Sequence, residues 1–267
     1  MRRRILDRLV MSPTTHPIGT GSRRREILNT SHGDVELWID PSLQVDNRAD
    51  HPADVLMIKF PGAGGRAERA TAQPAQFWTS SQTELWSVNP PGYGGANGRA
   101  SLHAIQPMVD AVLKRIEQRS SKKIFLVANS LGNLPALQLA SRIQVAGLVL
   151  RNPPPIPRVV EHRSRRYRAV WIGKWLAQGF PRGLDPEHLA ARCNAPAVFI
   201  HSELDQLVPL EFQTPISDAY AGPKRVIVAR GIDHADPFPE EQAQEYEDAA
   251  KWLEMQSFEG SHGNSLT

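Results

Sequence analysis

Short apolar runs alternate with helical patterns through most of this 267-residue chain, and this alternation restricts the fold more than any other feature. Each run is nearly continuous in apolar residues, as expected of a strand that is covered on both faces. Such alternation predicts an α/β fold with a mostly parallel central sheet and helices on both faces. The six runs lie at residues 54–60, 84–89, 123–129, 147–152, 197–202 and 225–230.

Two further strands and four helices complete the predicted architecture. Residues 25–42 read as a strand pair around a turn at residues 31–34. The second helix has one apolar stripe at helical spacing, whereas Pro74 interrupts the middle of the first. The predicted helices cover residues 66–80, 103–120, 131–143 and 239–255.

A single domain can hold all of these elements, because a chain of this length with 40% hydrophobic residues buries one sizeable core. We expect residues 1–24 to form a basic N-terminal tail, residues 25–256 the α/β domain, and residues 257–267 a flexible C-terminal tail. Residues 153–192 interrupt the alternation with a Pro-rich and then Arg- and Trp-rich insertion, which we expect to form a short helical cap.

The formal net charge of +3 is unevenly distributed. The first 25 residues contain seven arginines and one acid, Asp7, so they carry +6 and the remainder about −3. A basic terminal segment does not indicate a nucleic-acid-binding body. No apolar run reaches about 18 residues, so no transmembrane helix is predicted. We expect a cytoplasmic protein with a mobile basic segment, and weak attachment of that segment to anionic lipid is the alternative.

Cysteine content excludes two kinds of site. Cys193 is the only cysteine, so neither an intrachain disulfide nor a cysteine-rich metal site can form. A single cysteine fits a reducing compartment. No metal-binding cluster and no cofactor motif stands out, and we expect the protein to need neither.

The corner at residues 128–132 joins a predicted strand to a predicted helix and contains Ser130. A nucleophile on such a turn needs small residues two positions before and after it, and Ala128 and Gly132 meet this need. The usual pattern is G-x-S-x-G, from which Ala128 departs by one methyl group. Capping of the helix by Ser130 is the structural alternative. The strand before the corner and the helix after it favour a nucleophile.

A glycine-rich turn, residues 60–68, follows the first apolar run. Such a turn can direct backbone N–H groups towards the oxyanion that forms in acyl transfer. The N–H groups of Ala63 and Leu131 are the predicted oxyanion-hole donors. A plain strand-to-helix turn is the alternative. A phosphate-binding loop is disfavoured because no Gly-Lys-Ser/Thr follows and the glycines do not form G-x-G-x-x-G.

An acid and a histidine follow two later strands. Asp205 lies after the run at residues 197–202, with Glu203 as its local rival, and His234 lies just past the last run. Because the carboxyl ends of parallel strands meet at one edge of the sheet, these side chains are expected to lie near Ser130. Asp205 is the predicted orienting acid and His234 the predicted base; an ordinary turn aspartate and an incidental histidine are the alternatives.

The order Ser, Asp, His along the chain is that of α/β-hydrolases. Together with the Pro-Gly-Ala-Gly-Gly turn at residues 61–65 and the segment NPPGYGGANGRAS at residues 89–101, it makes residues 25–256 resemble the α/β-hydrolase superfamily. Within the superfamily, the chain resembles the Bem46 or ABHD-type serine hydrolases. Asn89 and Pro61 replace an acid and a histidine that are common in this superfamily. Many members of the branch are membrane-associated through an N-terminal hydrophobic anchor, and we expect no such anchor here.

The resemblance implies a serine hydrolase that cleaves a small-molecule acyl ester or thioester through Ser130, His234 and Asp205 and an acyl-enzyme intermediate. A peptidase, an acyltransferase and a cofactor-free perhydrolase or haloperoxidase are alternatives on the same fold. A non-catalytic ligand-binding protein is the alternative of a different class. A haloalkane dehalogenase is disfavoured because it would need a carboxylate in place of Ser130.

The insertion contains two tryptophans one helical turn apart, Trp171 and Trp175. They are predicted to contact the acyl group of a substrate, with the surrounding arginines attracting anionic or lipid-like molecules. A packed apolar face with solvated arginines is the alternative.

Overall fold

One eight-stranded sheet runs through the computed structural model, which describes residues 1–43, 53–79, 81–118 and 122–259. Its strands are β1 (Arg24–Thr30), β2 (Gly33–Leu43), β3 (Val55–Phe60), β4 (Thr83–Asn89), β5 (Lys123–Asn129), β6 (Gly147–Arg151), β7 (Ala197–Ser202) and β8 (Lys224–Ala229). Their order across the sheet is β1-β2-β4-β3-β5-β6-β7-β8. β2 is antiparallel to β1 and β4, and every other neighbouring pair is parallel.

The described residues form eight α-helices as well as several short 3₁₀ turns. None of these helices has both the length and the apolar character needed to cross a membrane. The helices are α1 (Arg2–Val10), α2 (Ile105–Glu117), α3 (Asn133–Ala140), α4 (Ile156–Arg166), α5 (Val170–Ala177), α6 (Pro186–Ala190), α7 (Leu210–Ala219) and α8 (Ala243–Glu259).

Two apolar clusters cover the two faces of the sheet. Successive side chains of a strand point to opposite faces, so each buried strand contributes to both clusters. In β3, Ile58 and Phe60 join the cluster that contains residues of α2 and α3. Val55 and Met57 join the cluster that contains residues of α8. This arrangement explains why the strands read as nearly continuous apolar runs.

The predicted fold class is confirmed: the sheet is mostly parallel and carries helices on both faces. Each of the six apolar runs overlaps a strand. The predicted helix over residues 66–80 is wrong. The described part of that stretch contains two 3₁₀ turns, Ala67–Arg69 and Ala75–Phe77, separated by Pro74, which lacks the N–H that a helix interior needs.

The first 24 residues, for which the sequence predicts a tail, contain helix α1. Its Leu6 side chain is 1% exposed and joins the core. The buried carboxylate of Asp7 accepts hydrogen bonds from Ser101 Oγ and from Leu102 N–H, both at 3.0 Å. One apolar and one acidic side chain therefore fix this helix, while its arginines lie mostly on the surface.

The boundaries of the two terminal tails, of the α/β domain and of the insertion stay predictions. Helix α8 extends to Glu259, and residues 260–267 of the predicted C-terminal tail lie outside the described residues. The insertion at residues 153–192 contains α4, α5 and α6. α4 and α5 pack so closely that a Cβ atom on Gly173 would overlap the Ser164 hydroxyl.

Candidate active site

Ser130 lies in a strained turn at the carboxyl end of β5. Its φ of +50° is in the left-handed region, which non-glycine residues rarely adopt. A 3₁₀ turn, Ser130–Gly132, connects β5 to α3. The Asn133 side chain supports the turn by donating one hydrogen bond to the Ser130 carbonyl and another to the Arg151 carbonyl, both at 2.8 Å. The turn is thus attached to both α3 and β6.

The residues two positions away from Ser130 have different steric demands. A Cβ atom on Gly132 would overlap the backbone of Phe60 and Pro61, so this position requires glycine. Ala128 is 3% exposed, and its methyl group packs in the apolar cluster on the α3 face. The core therefore accommodates the departure from G-x-S-x-G.

The structure brings Ser130, His234 and Asp205 into one hydrogen-bonded chain. Ser130 Oγ lies 2.8 Å from His234 Nε2, and His234 Nδ1 lies 2.6 Å from Asp205 Oδ2. An ionised carboxylate only accepts hydrogen bonds, so the proton between His234 and Asp205 belongs to Nδ1. Nε2 is then left to accept the proton of the serine hydroxyl.

The Asp205 carboxylate is completely buried and is held by donors on both oxygens. Oδ1 accepts from the backbone N–H groups of Leu207 at 2.9 Å and Val208 at 2.7 Å. Oδ2 accepts from Gln213 Nε2 at 3.1 Å in addition to His234. These donors compensate for the burial of the charge and fix the plane of the carboxylate. Nothing in the local sequence identified Gln213, which lies on α7.

The loop that carries His234 is fixed by side chains that the sequence did not single out. Asp233 Oδ1 accepts from the backbone N–H groups of Gln206 and His234, and these bonds lower the pKa of Asp233. Asn152 Nδ2 donates to the His234 carbonyl at 3.2 Å and to Ser202 Oγ at 3.0 Å. The position of the histidine therefore depends on β7 and on the residue that follows β6.

The glycine-rich turn that contains Ala63 lies against Ser130. A Cβ atom built on Gly62 would lie 3.2 Å from Ser130 Cβ, so the glycine-rich turn reaches the serine. The carbonyl of Ala63 accepts from Tyr93 Oη at 2.8 Å and from Ser12 N–H at 3.2 Å, which fixes the following part of the turn. Leu131 is buried and directly follows Ser130. The alignment of the Ala63 and Leu131 N–H groups on a substrate stays a prediction.

The other candidates lie apart from this chain of hydrogen bonds. Glu203, the local rival of Asp205, accepts from Gly231 N–H at 2.8 Å. Trp171 on α5 is 74% exposed, and Trp175 is partly buried. Contact of either tryptophan with an acyl group stays a prediction. Burial raises the pKa of the Cys193 thiol to about 12, which favours a structural role for this residue.

Comparison with known sequences finds two uncharacterized proteins of Mycobacterium tuberculosis, from strain CDC 1551 / Oshkosh and strain ATCC 25618 / H37Rv. Each is 29% identical over 239 residues, which cover 86% of this chain and 80% of the relative. No protein-family model matches the chain.

Comparison with solved structures finds an esterase of Pyrococcus furiosus, with a TM-score of 0.62 and 15% identity over 92% of this chain and 97% of the esterase. Est1E of Butyrivibrio proteoclasticus, solved with ferulic acid bound, matches with a TM-score of 0.61 and 14% identity over 88% of this chain and 99% of Est1E. Similarity at these identities concerns the fold alone. That fold, with its mixed eight-stranded sheet and flanking helices, is the α/β-hydrolase fold.

Proposed function

We propose that this protein is a serine hydrolase that cleaves carboxylic esters or thioesters through Ser130, His234 and Asp205. The observation that carries the proposal is the continuous hydrogen-bonded chain from Ser130 Oγ through the imidazole to the buried carboxylate. A serine hydroxyl is a weak nucleophile on its own and needs such an adjacent base, itself oriented by a third group. The strained turn that presents Ser130 supports the same assignment.

In the acylation step, His234 Nε2 takes the proton from Ser130 Oγ while that oxygen attacks the carbonyl carbon of the substrate. Asp205 stabilises the imidazolium that forms and keeps Nδ1 hydrogen-bonded. The N–H groups of Ala63 and Leu131 are proposed to stabilise the oxyanion of the tetrahedral intermediate. As the intermediate collapses, the proton on Nε2 passes to the departing alkoxide or thiolate.

In the deacylation step, water attacks the acyl group on Ser130 and His234 Nε2 accepts its proton. Collapse of the second tetrahedral intermediate releases the carboxylic acid and returns the proton to Ser130 Oγ. No redox change occurs, and every proton transfer uses the same imidazole.

We assign the enzyme to the Bem46 or ABHD-type branch on the motifs at residues 61–65 and 128–132, and we assign the insertion at residues 153–192 as its cap.

Hydrolysis of 4-nitrophenyl acyl esters of increasing chain length tests the proposal. The Ser130→Ala variant is expected to lose about 10⁴-fold or more in kcat, since the nucleophile is absent. Ser141→Ala is the matched control, because the Ser141 hydroxyl, just after α3, donates only to the Gln138 carbonyl. It should hydrolyse the esters at the parent rate.

A fluorophosphonate probe separates an enzyme from a non-catalytic binding protein on this scaffold. The parent protein is expected to be labelled on Ser130, whereas Ser130→Ala should remain unlabelled. An unlabelled parent protein, or ester hydrolysis by Ser130→Ala at the parent rate, would show that the proposed function is wrong.

A further inference from the structure

A cavity of about 310 Å³ lies next to the candidate active site, on the α8 face of the sheet. Its walls come from the carboxyl ends of the central strands, the loop after β3, and Phe238 and Tyr246. Asn129, the residue before Ser130, and Gly62 of the glycine-rich turn also line it. This cavity is therefore adjacent to the reacting serine.

Polar side chains from neighbouring strands line this cavity because strand register places them on one face. Lys59 of β3 pairs with Ser87 of β4 and with Val127 of β5. Asn129 of β5 pairs with Arg151 of β6. All five residues line the cavity. The positions that precede and follow them along these strands face the opposite core, where apolar residues predominate.

The charge of the cavity wall has one sign. Lys59, Arg66, Arg69 and Arg151 contribute to it, and none of the described residues that line it is an aspartate or a glutamate. Arg66 forms a buried ion pair with Glu68, whereas Lys59, Arg69 and Arg151 form no ion pair with any described residue. The rest of the wall is largely apolar and includes the side chains Val127, Val149, Ile200 and Phe238.

Two buried polar atoms of lining residues have no hydrogen-bond partner among the described residues: Ser87 Oγ and Arg151 Nε. Ser87 is 1% exposed, so its hydroxyl cannot rely on bulk water. Lys59 Nζ donates to the Thr71 carbonyl at 2.7 Å, and burial lowers its pKa to about 7. A bound anion would accept from the serine and the arginine and would favour the charged form of the lysine.

The cavity is mechanically linked to the candidate active site through Arg151. The Asn133 side chain bridges the carbonyls of Arg151 and Ser130, and the Arg151 guanidinium donates to the carbonyl of Asp236, in the loop of His234. A molecule that reaches Arg151 would therefore lie close to both the serine turn and the histidine loop.

We propose that this cavity binds a carboxylate carried by an apolar molecule, and that the preferred substrates are esters or thioesters whose acyl part bears a second acid group. The proposal about substrates rests on the proposed hydrolase function, whereas the binding site itself does not. A carboxylate fits better than a phosphate because the wall is mainly apolar and offers few free cations.

Monoethyl adipate and ethyl hexanoate have acyl groups of the same length and differ in the terminal carboxylate. We expect kcat/KM for monoethyl adipate to exceed that for ethyl hexanoate by about 10-fold or more, the size of effect that charge-assisted hydrogen bonds give. Lys59→Met and Arg151→Met should each reduce this ratio severalfold. Lys114→Met, which changes an exposed lysine on α2, is the control and should preserve the ratio.

Calorimetric titration of Ser130→Ala with adipate tests the site independently of hydrolysis. Binding that is weakened by Lys59→Met in this background supports the site, even if the parent protein cleaves neither ester and the hydrolase proposal fails. Hydrolysis of both esters with equal kcat/KM, together with no adipate binding, would overturn the cavity proposal and leave the hydrolase proposal intact. Tighter binding of inorganic phosphate than of adipate would overturn the assignment to a carboxylate. Thermal unfolding identifies any variant that fails to fold. If Arg151→Met fails to fold, Lys59→Met alone tests the proposal.

Discussion

Replacement of Asp205 by asparagine tests the proposed role of the buried carboxylate. Oδ1 of Asp205 accepts two backbone N–H groups, from Leu207 and Val208, so the amide oxygen of asparagine must occupy that position. The amide NH₂ then replaces Oδ2, which faces His234 Nδ1 at 2.6 Å and Gln213 Nε2 at 3.1 Å. The side chain changes from an acceptor to a donor where two donors already point.

This change inverts the imidazole tautomer. His234 Nδ1 must accept from the new NH₂, so its proton moves to Nε2, which lies 2.8 Å from Ser130 Oγ. A protonated Nε2 cannot accept the serine proton. We therefore expect kcat to fall about 10⁴-fold, or about 5.4 kcal/mol in activation free energy. Gln213 can turn its Oε1 towards the new NH₂ but then loses its 2.6 Å bond to the Val208 carbonyl, which costs about 1 kcal/mol of stability.

The assay is the kcat of the purified variant on a 4-nitrophenyl ester from pH 5 to pH 9, with thermal unfolding to confirm the fold. Asp233→Asn is the matched control. Asp233 holds the same loop through backbone N–H groups, which an amide oxygen can also accept, and it makes no hydrogen bond to the imidazole. We expect this control to keep kcat within about 10-fold. If Asp205→Asn retains a tenth of the parent activity, or if both variants lose equally, the tautomer argument is refuted.

Three further predictions concern the turn, the cavity and the surface. Gly132→Ala should lower the free energy of unfolding by about 1 to 3 kcal/mol, because its Cβ would overlap the Phe60 carbonyl; an unchanged denaturant midpoint would contradict this. Because the folded-state pKa of Lys59 is lowered to about 7, the unfolded chain binds more protons above pH 7, and the parent protein should gain stability from pH 7 to pH 9. Lys59→Met lacks this contribution, so its free energy of unfolding relative to that of the parent should fall by about 1 to 2 kcal/mol across that interval. A difference in urea unfolding that stays constant with pH would argue against a lowered pKa. Helix α1 is rich in arginine and contacts α5, where Trp171 is exposed. The protein should therefore sediment with phosphatidylserine vesicles at low salt, and less of it should do so after Trp171→Ala. Equal sedimentation with phosphatidylcholine vesicles would exclude charge attraction.

Much of the fold could be predicted from local patterns. Each core strand overlaps an apolar run that can be recognised from a few consecutive residues. The alternation of strands with helices can be recognised along the whole chain. The approach of Asp205 and His234 to Ser130 could also be predicted, because parallel strands direct their carboxyl ends to one edge of the sheet.

The parts that could not be predicted depend on contacts between distant segments. Helix α1 is anchored by Leu6 and by Asp7, whose partners lie more than 90 residues away. Its arginine-rich composition alone indicates a solvated tail. The helix predicted over residues 66–80 fails because Pro74 lacks a backbone N–H, which outweighs the apolar pattern.

The supporting residues of the candidate site also could not be predicted, because the sequence around them does not indicate their role. Gln213 and Asn152 are ordinary polar residues until the fold places them beside Asp205 and His234. The grouping of Lys59 with Arg151 requires the strand order and register, since their strands are separated by β5 in the sheet.

The distance along the chain between Ser130 and His234, 104 residues, has a consequence for folding. The reacting pair cannot form until β5, β6, β7 and β8 are assembled in register, and closing such long loops is entropically slow. Recovery of ester cleavage after dilution from denaturant should therefore lag behind the return of helical circular dichroism. The proposed catalysis would then report the assembly of these four strands, which makes turnover a probe of refolding.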